Sequence, residues 1–344
     1  YGTDDTIVLP NGTITFTTAP NGIDVDLTIT GAGPGQSILD LDGNNGFGTG
    51  ATGHTVSFEN FSVFNGTFLV DFGSNDLSFN IDNLEVYSDG SATLSNGRLI
   101  RQRGSLSINS TYIHDILDLD GDGYVIDFNA DDIGSFNMTN STIATIDGFS
   151  SVFFVNDAVS GQIVNNTFTD IVGDQFAVVF NVASDNLSFV NNTIADMSAT
   201  VTAGIYVGPN YELTMMNNLI TDKGDGSLGP YTSGVCFVDS GATIVSGGGN
   251  VIGDDTCAGW LTEESDQNNV GDLSSTLGSL ADNGGPVLTM ALLEGSPAVD
   301  AGVSVMGLTE DARGESRPQG GGYDAGAYES AFTAGVDDDD EAGS

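Results

Sequence analysis

Val164-Asn165-Asn166-Thr167-Phe168 is the stretch that decides the fold, and it recurs as Val190-Asn191-Asn192-Thr193-Ile194 and Met216-Asn217-Asn218-Leu219-Ile220. The second asparagine stands at positions 166, 192 and 218, so the repeat has a period of 26 residues. A period of this size is typical of one solenoid coil that holds three short strands. Asparagine tolerates the left-handed backbone that turns a strand at a corner, and stacked asparagines can hydrogen-bond along the axis. The repeat predicts an all-β, right-handed parallel β-helix with three sheets.

Composition agrees with a chain of many short strands. Among 344 residues there are 48 glycines and only 8 prolines, and β-branched residues are abundant. Such a composition favours strands joined by Gly, Asn and Asp turns. An antiparallel β-sandwich is also rich in strands, but it does not explain asparagines in register every 26 residues.

The charge of the chain is extreme. Six basic residues face 48 acidic ones, which gives a net charge of −42. Nucleic acids and anionic membranes need a basic surface, so both are excluded as partners. A saline habitat, a surface loaded with Ca²⁺ and a polyanionic matrix each explain the acidity. We expect a secreted protein at the cell surface or in the extracellular space.

The two cysteines, Cys236 and Cys257, are predicted to form a disulfide. A disulfide suits a secreted protein, whereas two cysteines without a nearby histidine cannot complete a zinc shell. The sequence contains no apolar stretch of the length that crosses a bilayer, so we expect no membrane insertion. A leader peptide is expected to have been removed before Tyr1.

The repeat divides the chain into three parts. Residues 1–270 are predicted to form the β-helix. Residues 271–330 lose the repeat and carry three of the prolines, so we interpret them as an irregular cap that covers the last coil. Residues 331–344 are predicted to be an acidic tail.

Two stretches resemble a known family. Leu27–Asn44 resembles the opening coils of bacterial right-handed β-helix surface proteins. The segments Leu280–Pro286, Gly295–Gly302, Asp311–Gly314 and Asp324–Glu329 are similar to the choice-of-anchor Q domain, and Cys236 with Gly249–Cys257 fits the same pattern. The resemblance implies a β-helix and export from the cell, and it implies no particular chemistry.

The sharpest motif for a ligand is an Asp-rich loop. Acidic residues occupy its first, third and fifth positions and Gly123 the sixth, as in calcium loops. The predicted Ca²⁺ ligands are Asp118, Asp120, Asp122, the carbonyl of Tyr124, and Asp127. Asn129 is an alternative donor, and the helices of an EF-hand are missing. The alternative interpretation is an Asp/Gly turn that needs no metal. Asp40–Asn44 is a weaker version of the same pattern.

Half of the basic residues lie within six positions, at Arg98, Arg101 and Arg103. Arg101 and Arg103 share one face of a predicted strand, where they could grip uronate or sulfate groups of a polysaccharide. The alternative is that they neutralise nearby aspartates on an acidic rod.

Catalysis has less support in the sequence. Carboxylate pairs such as Asp131-Asp132 and Asp254-Asp255 are inevitable among so many acids. The Gly-His-Gly and Arg-Ile-Lys motifs of pectin-degrading β-helix enzymes do not occur, and His54 and His114 stand alone. We therefore expect a non-catalytic structural or adhesive protein that is stabilised by Ca²⁺ and assembles with copies of itself into a filament or sheath. The alternatives are a polysaccharide lyase or hydrolase acting on acidic glycans, and a monomeric carbohydrate-binding adhesin.

Overall fold

The computed structural model describes residues 5–20, 22–49, 53–73, 76–90, 97–117, 123–129, 134–156, 160–173, 187–199, 204–221 and 234–335. In these residues the chain is a parallel β-helix, which confirms the predicted fold class. None of the described residues lies in an α-helix, and none belongs to a helix that could span a membrane.

Three stacks of parallel strands form the walls of the β-helix. The first sheet consists of β1 (Asp5–Val8), β3 (Leu27–Thr30), the first half of β6 (Thr55–Phe64), the first half of β8 (Ser78–Tyr87), β10 (Ser105–Asn109), β13 (Ser135–Thr139), β16 (Ser160–Val164), β18 (Leu187–Val190), β21 (Glu212–Met216) and β24 (Thr243–Ser246). The second sheet consists of β2 (Gly12–Thr15), β4 (Ser37–Asp40), the second halves of β6 and β8, β11 (Tyr112–Leu117), β14 (Thr142–Phe149), β17 (Thr167–Gly173), β19 (Thr193–Ala199), β22 (Leu219–Ile220), β25 (Val251–Ile252) and β26 (Gln267–Asn268). The third sheet consists of β5 (Phe47–Thr49), β7 (Val70–Phe72), β9 (Arg98–Gln102), β12 (Tyr124–Asn129) and β15 (Ser151–Asn156).

Two short pairs lie outside these sheets. The strands β20 (Ile205–Val207) and β23 (Cys236–Val238) pair in parallel, and β27 (Leu277–Ala281) and β28 (Thr289–Leu292) form an antiparallel hairpin.

The corner between the first and second sheets uses the two asparagines of the repeat for different purposes. Asn165, the first of its pair, has a φ of 56° and turns the chain, and Asn191 and Asn217 do the same in later coils. The second asparagine is buried inside the corner. Asn166 donates from both its backbone N and Nδ2 to Oδ1 of Asn192, at 2.9 and 3.0 Å. The predicted asparagine register is therefore confirmed, and it satisfies polar groups that no water reaches.

This asparagine ladder continues to the end of the coil stack. Asn192 donates to Asn218 and Asn218 to Asn250 in the same way. The ladder ends on Asp266, whose Oδ1 accepts the backbone N and Nδ2 of Asn250 at 3.0 and 2.9 Å. A carboxylate suits this end position because it only accepts hydrogen bonds.

Phenylalanines fill the bore. Phe58 lies 5.1 Å from both Phe47 and Phe79, and Phe153 lies 5.4 Å from Phe168, measured between ring centroids. All five rings are at least nine-tenths buried, and each packs against a ring in an adjacent coil. The bore ends at Cys257 and Leu261. Cys257 forms the predicted disulfide with Cys236.

Residues 271–335, here called the cover, lie along the outer side of the second sheet. Thr142 Oγ1 donates to the carbonyl of Leu288 at 2.7 Å, and the backbone N of Ala327 donates to Thr193 Oγ1 at 2.9 Å. The turn asparagines also hold the cover, since Asn217 exchanges two hydrogen bonds of 2.7 Å with the backbone of Val303. The segment predicted to cap the last coil thus contacts the flank of several coils.

Buried charges hold the cover together. Arg317 is almost fully buried and its Nη1 lies 2.8 Å from Oε2 of Glu329, which is also buried. The other guanidinium nitrogen, Nη2, donates to the carbonyl of Gly326 at 2.6 Å. Arg313 pairs with Asp311 at 2.6 Å and lies over the ring of Tyr328, 3.6 Å from its centroid.

Candidate functional site

The predicted calcium site is only partly within the described residues. Asp118, Asp120 and Asp122 lie outside them, so their arrangement stays a prediction. Tyr124 and Asp127 lie in β12, where Tyr124 is in register with strands on both sides. In the part of the chain that the structure describes, no group of three or more His, Cys, Asp or Glu residues could hold a metal ion.

Asp127 instead contacts two of the three arginines that lie close together in the sequence. Its Oδ2 contacts Nε of Arg98 and lies 3.9 Å from Nε of Arg101. Arg101 Nη1 also lies 3.4 Å from Oδ1 of Asp71, because β7, β9 and β12 place Asp71, Arg101 and Asp127 in one lateral row. We call Asp71, Arg98, Arg101, Arg103 and Asp127 the arginine cluster.

Burial dominates the electrostatics of this cluster. The side chain of Asp127 is only 8% exposed. Burial raises the pKa of Asp127, and the positive charges of Arg98, Arg101 and Arg103 oppose that rise. Beside the cluster the ring of Tyr124 lies 5.1 Å from that of Phe154. The arrangement joins opposite charges on adjacent coils, which is the neutralising role weighed from the sequence.

The other polar residues named from the sequence have structural contacts. Asp254 accepts hydrogen bonds from the backbone of Val235 and from Thr256, so one member of the Asp254-Asp255 pair serves a loop. His54 lies 3.6 Å from Asp26. Asp131 and Asp132 lie outside the described residues.

His114 belongs to a cluster on the outer face of the second sheet. Phe64, Tyr87 and His114 occupy one lateral row on consecutive coils, because β6 pairs with β8 and β8 with β11. The centroids of Phe64 and Tyr87 are 4.9 Å apart, and those of Tyr87 and His114 are 5.3 Å apart with parallel planes. Tyr112 stacks on His114 from the same strand at 4.0 Å. We call Phe64, Tyr87 and His114 the ring row.

Carboxylates surround the ring row. His114 Nδ1 lies 2.7 Å from Oδ2 of Asp115, and its Nε2 lies 3.4 Å from Oε1 of Glu85. Glu85 Oε2 accepts a hydrogen bond of 2.7 Å from Ser62 Oγ. The carboxylates thus lie on both sides of the imidazole.

A cleft of about 370 Å³ opens where the cover meets this cluster. Its polar groups come from Glu85 and Tyr112 of the β-helix and from Asp282 of the cover. Its apolar walls come from Pro34, Leu84, Pro286, Val287 and Leu288. A cleft with apolar walls and a few convergent polar groups is the usual form of a small-molecule site.

The protonation states of the cleft follow from its contacts. The hydrogen bond from His114 lowers the pKa of Glu85, although partial burial opposes this, so Glu85 is ionised at neutral pH. Burial opposes protonation of His114, but the hydrogen bonds to Glu85 and Asp115 outweigh it and raise its pKa. Burial, together with Asp115 and Glu85, raises the pKa of Tyr112 to about 12, so its hydroxyl keeps its proton.

In the sequence His114 is an isolated histidine, and Glu85, Tyr112 and Asp282 are not among the residues predicted to form a site. The distance in sequence from the left-handed corner residues does mark the position of His114. The fourth residue after each left-handed corner residue is a ring in three consecutive coils, at Phe64, Tyr87 and His114. Asp282 had no such signal, because the repeat does not extend into the cover.

A solved structure is similar to the chain. The crystal structure of pectate lyase Pel9A matches with a TM-score of 0.46 and 15% sequence identity, covering 94% of this chain and 87% of that chain. No protein-family model and no curated protein matches the chain. The likeness concerns the course of the backbone, and the resemblance of the cover to a choice-of-anchor Q domain stays a prediction.

Proposed function

We propose that this chain is a secreted, non-catalytic extracellular protein with a structural and adhesive role. The observation that carries the proposal is the arginine cluster. Arg101, one of the two arginines that could grip an acidic glycan, contacts both Asp127 and Asp71, and its neighbour Arg98 also contacts Asp127.

The alternative function, a lyase acting on acidic glycans, would need the arginines and Asp127 to contact the substrate instead of one another. β-Elimination requires a base to remove a proton and a positive group to stabilise the charge that develops on the uronate. In the arginine cluster the buried carboxylate of Asp127 contacts Arg98 and Arg101, the same cations that a uronate substrate would have to bind. Opening these contacts would leave a nearly buried carboxylate without its partners, which is costly.

The test is an assay for cleavage of acidic glycans. Purified protein is incubated with polygalacturonate and with alginate, with Ca²⁺ or with EDTA, and unsaturated ends and reducing ends are measured. We expect no product above the protein-free control. Product that disappears in an Arg98→Met/Arg101→Met double variant would overturn the proposal and favour the lyase.

Self-assembly is part of the proposed structural role, and the first coil supports it. All four residues of β1 are exposed, including Ile7 and Val8, and within the described residues β1 pairs only with β3. Its other edge can accept a strand from a second copy. We expect concentration-dependent filaments in electron micrographs and in sedimentation. An Ile7→Lys/Val8→Lys variant should remain monomeric, and a wild-type protein that is monomeric at every concentration would contradict the assembly.

Calcium stabilisation remains a proposal from the Asp-rich loop. We expect Ca²⁺ to raise the melting temperature relative to EDTA, because binding only to the folded state stabilises it. An Asp120→Asn/Asp122→Asn variant should lose the difference, and an unchanged wild-type melting temperature would rule out a stabilising site.

A further inference from the structure

We propose that the cleft between Glu85, Tyr112 and Asp282 binds an amino sugar of a cationic polysaccharide. This inference rests on the proposed adhesive role and names the ligand class of that role. It concerns a different surface from the arginine cluster, which belongs to the third sheet.

The cleft lies at the edge of the cover. On one side of it the cover lies against the outer face of the second sheet, and on the other side that face is uncovered. Thr142 is bonded to the cover through Leu288, whereas Tyr112, one coil earlier in the same lateral row, lines the open cleft. The edge of the cover therefore forms one wall and the β-helix the other. An extended polymer can enter the cleft from the side that the cover leaves open and continue past the ring row.

The polar groups of the cleft fit a sugar. Glu85 and Asp282 offer carboxylate oxygens that accept hydrogen bonds, and the Tyr112 hydroxyl can donate one because it stays protonated. Pro286 and Leu288, which line the cleft and keep exposed surface, offer apolar contact to the C–H groups of a pyranose ring. The volume of about 370 Å³ is within the usual range of small-molecule sites, about 300–1,000 Å³.

Charge decides which sugar is favoured. Four carboxylates lie in or beside this region: those of Asp40, Glu85, Asp115 and Asp282. His114 is the one histidine among them, and it already faces two of the four. The chain as a whole carries a net charge of −42. An ammonium group is attracted to such a site and can make charge-assisted hydrogen bonds, whereas a uronate is repelled.

The experiment measures binding of three oligosaccharides of equal length by isothermal titration calorimetry. They are oligomers of glucosamine at a mildly acidic pH where the amine is protonated, of N-acetylglucosamine, and of galacturonate. We expect the glucosamine oligomer to bind most tightly, with an affinity that falls as salt is added, and no binding of galacturonate. Glu85→Gln and Asp282→Asn should each weaken glucosamine binding about tenfold, since each removes a charged hydrogen-bond partner.

Matched variants separate the cleft from the general acidity of the surface. Glu212→Gln removes one exposed carboxylate from β21 of the first sheet, and it should leave binding unchanged. Tyr112→Phe keeps the ring, removes the donor and should weaken binding less than Glu85→Gln. Equal losses in Glu85→Gln and Glu212→Gln, equal binding of galacturonate, or no binding of any oligomer would each overturn the inference. None of these outcomes changes the result of the glycan-cleavage assay, so the two proposals can fail separately.

Discussion

The outer face of the second sheet has two regions that share a backbone and differ in side chains. In the uncovered region the fourth residue after the corner is Phe64, Tyr87 or His114. In the covered region the same position is Ala144, Thr169 or Ala195. The stack of coils is continuous through both regions. The side chains therefore differ because the cover lies against the outer face in one region and not in the other.

The covered region needs small side chains because the cover approaches closely. At Gly326, which has a φ of 99°, an added Cβ would lie 2.7 Å from Thr193 Oγ1. Ala195, Leu219 and Val251 pack against apolar residues of the cover in a second core. Among the described residues the uncovered region has no such partner, and its rings contact one another instead. One face of the second sheet therefore binds part of its own chain in some coils and leaves a row of rings uncovered in others.

The largest expected effect is loss of the cover. Arg317→Met removes one partner of a buried ion pair and leaves Glu329 buried without its charge partner. We expect a loss of about 3–5 kcal/mol in the stability of the cover. Hydrogen exchange should accelerate in residues 296–330, while the fluorescence of Trp260, which packs at the end of the bore, should keep its native value.

The control for this variant is Asp71→Asn, which removes a partly exposed ion pair with Arg101 and leaves the contacts of Asp127 in place. A pair of this kind is worth about 1 kcal/mol or less. Similar exchange rates in the two variants would show that the cover is not held by Arg317.

A smaller effect is expected from making the covered region resemble the uncovered one. Ala195→Phe places a ring where the cover packs and should destabilise the protein by about 1–3 kcal/mol in denaturant melts. Ala195→Ser changes the volume little and serves as the control for size. If Ala195→Phe were as stable as Ala195→Ser, close contact with the cover would not explain the small side chains.

The smallest effect concerns pH in the uncovered region. The pKa of His114 in the folded protein is raised above its ordinary value of 6.5. Its contribution to the stability of the fold is therefore full below pH 6.5 and is lost as the pH rises through the folded pKa. The folded pKa of Glu85 is lowered from 4.5, so its contribution is present above 4.5 and is lost as the pH falls through the folded value. Both groups contribute between about pH 4.5 and about pH 6.5.

We expect the difference in unfolding free energy between wild type and His114→Gln to shrink from about pH 6 to about pH 9, by about 1 kcal/mol or less. Denaturant melts of both proteins at the two pH values measure it. A difference that stays constant would show that His114 acts by packing on Tyr112 and Tyr87 alone.

The sequence allowed the β-helix and the disulfide to be predicted, because both leave a regular or rare residue pattern. The asparagine repeat predicts the register of the coils, although only the structure separates the turning Asn165 from the buried Asn166. The spacing from the corner residues marks the ring row, but the sequence repeat in these coils is less regular than the asparagine repeat and did not predict a cluster there. The cleft was not predictable, because Asp282 lies in a segment without a repeat.

The sequence by itself determined the period of the repeat and the strongly acidic composition, because the first depends on local backbone preference and the second only on residue content. Only the tertiary structure decided where residues 271–335 lie and which coils stay uncovered. The contacts that settle this join Asn217 to the backbone of Val303, across 86 residues, and Thr142 to that of Leu288. A backbone carbonyl of an irregular segment has no signature in the sequence, so its partner is known only once the chain has folded.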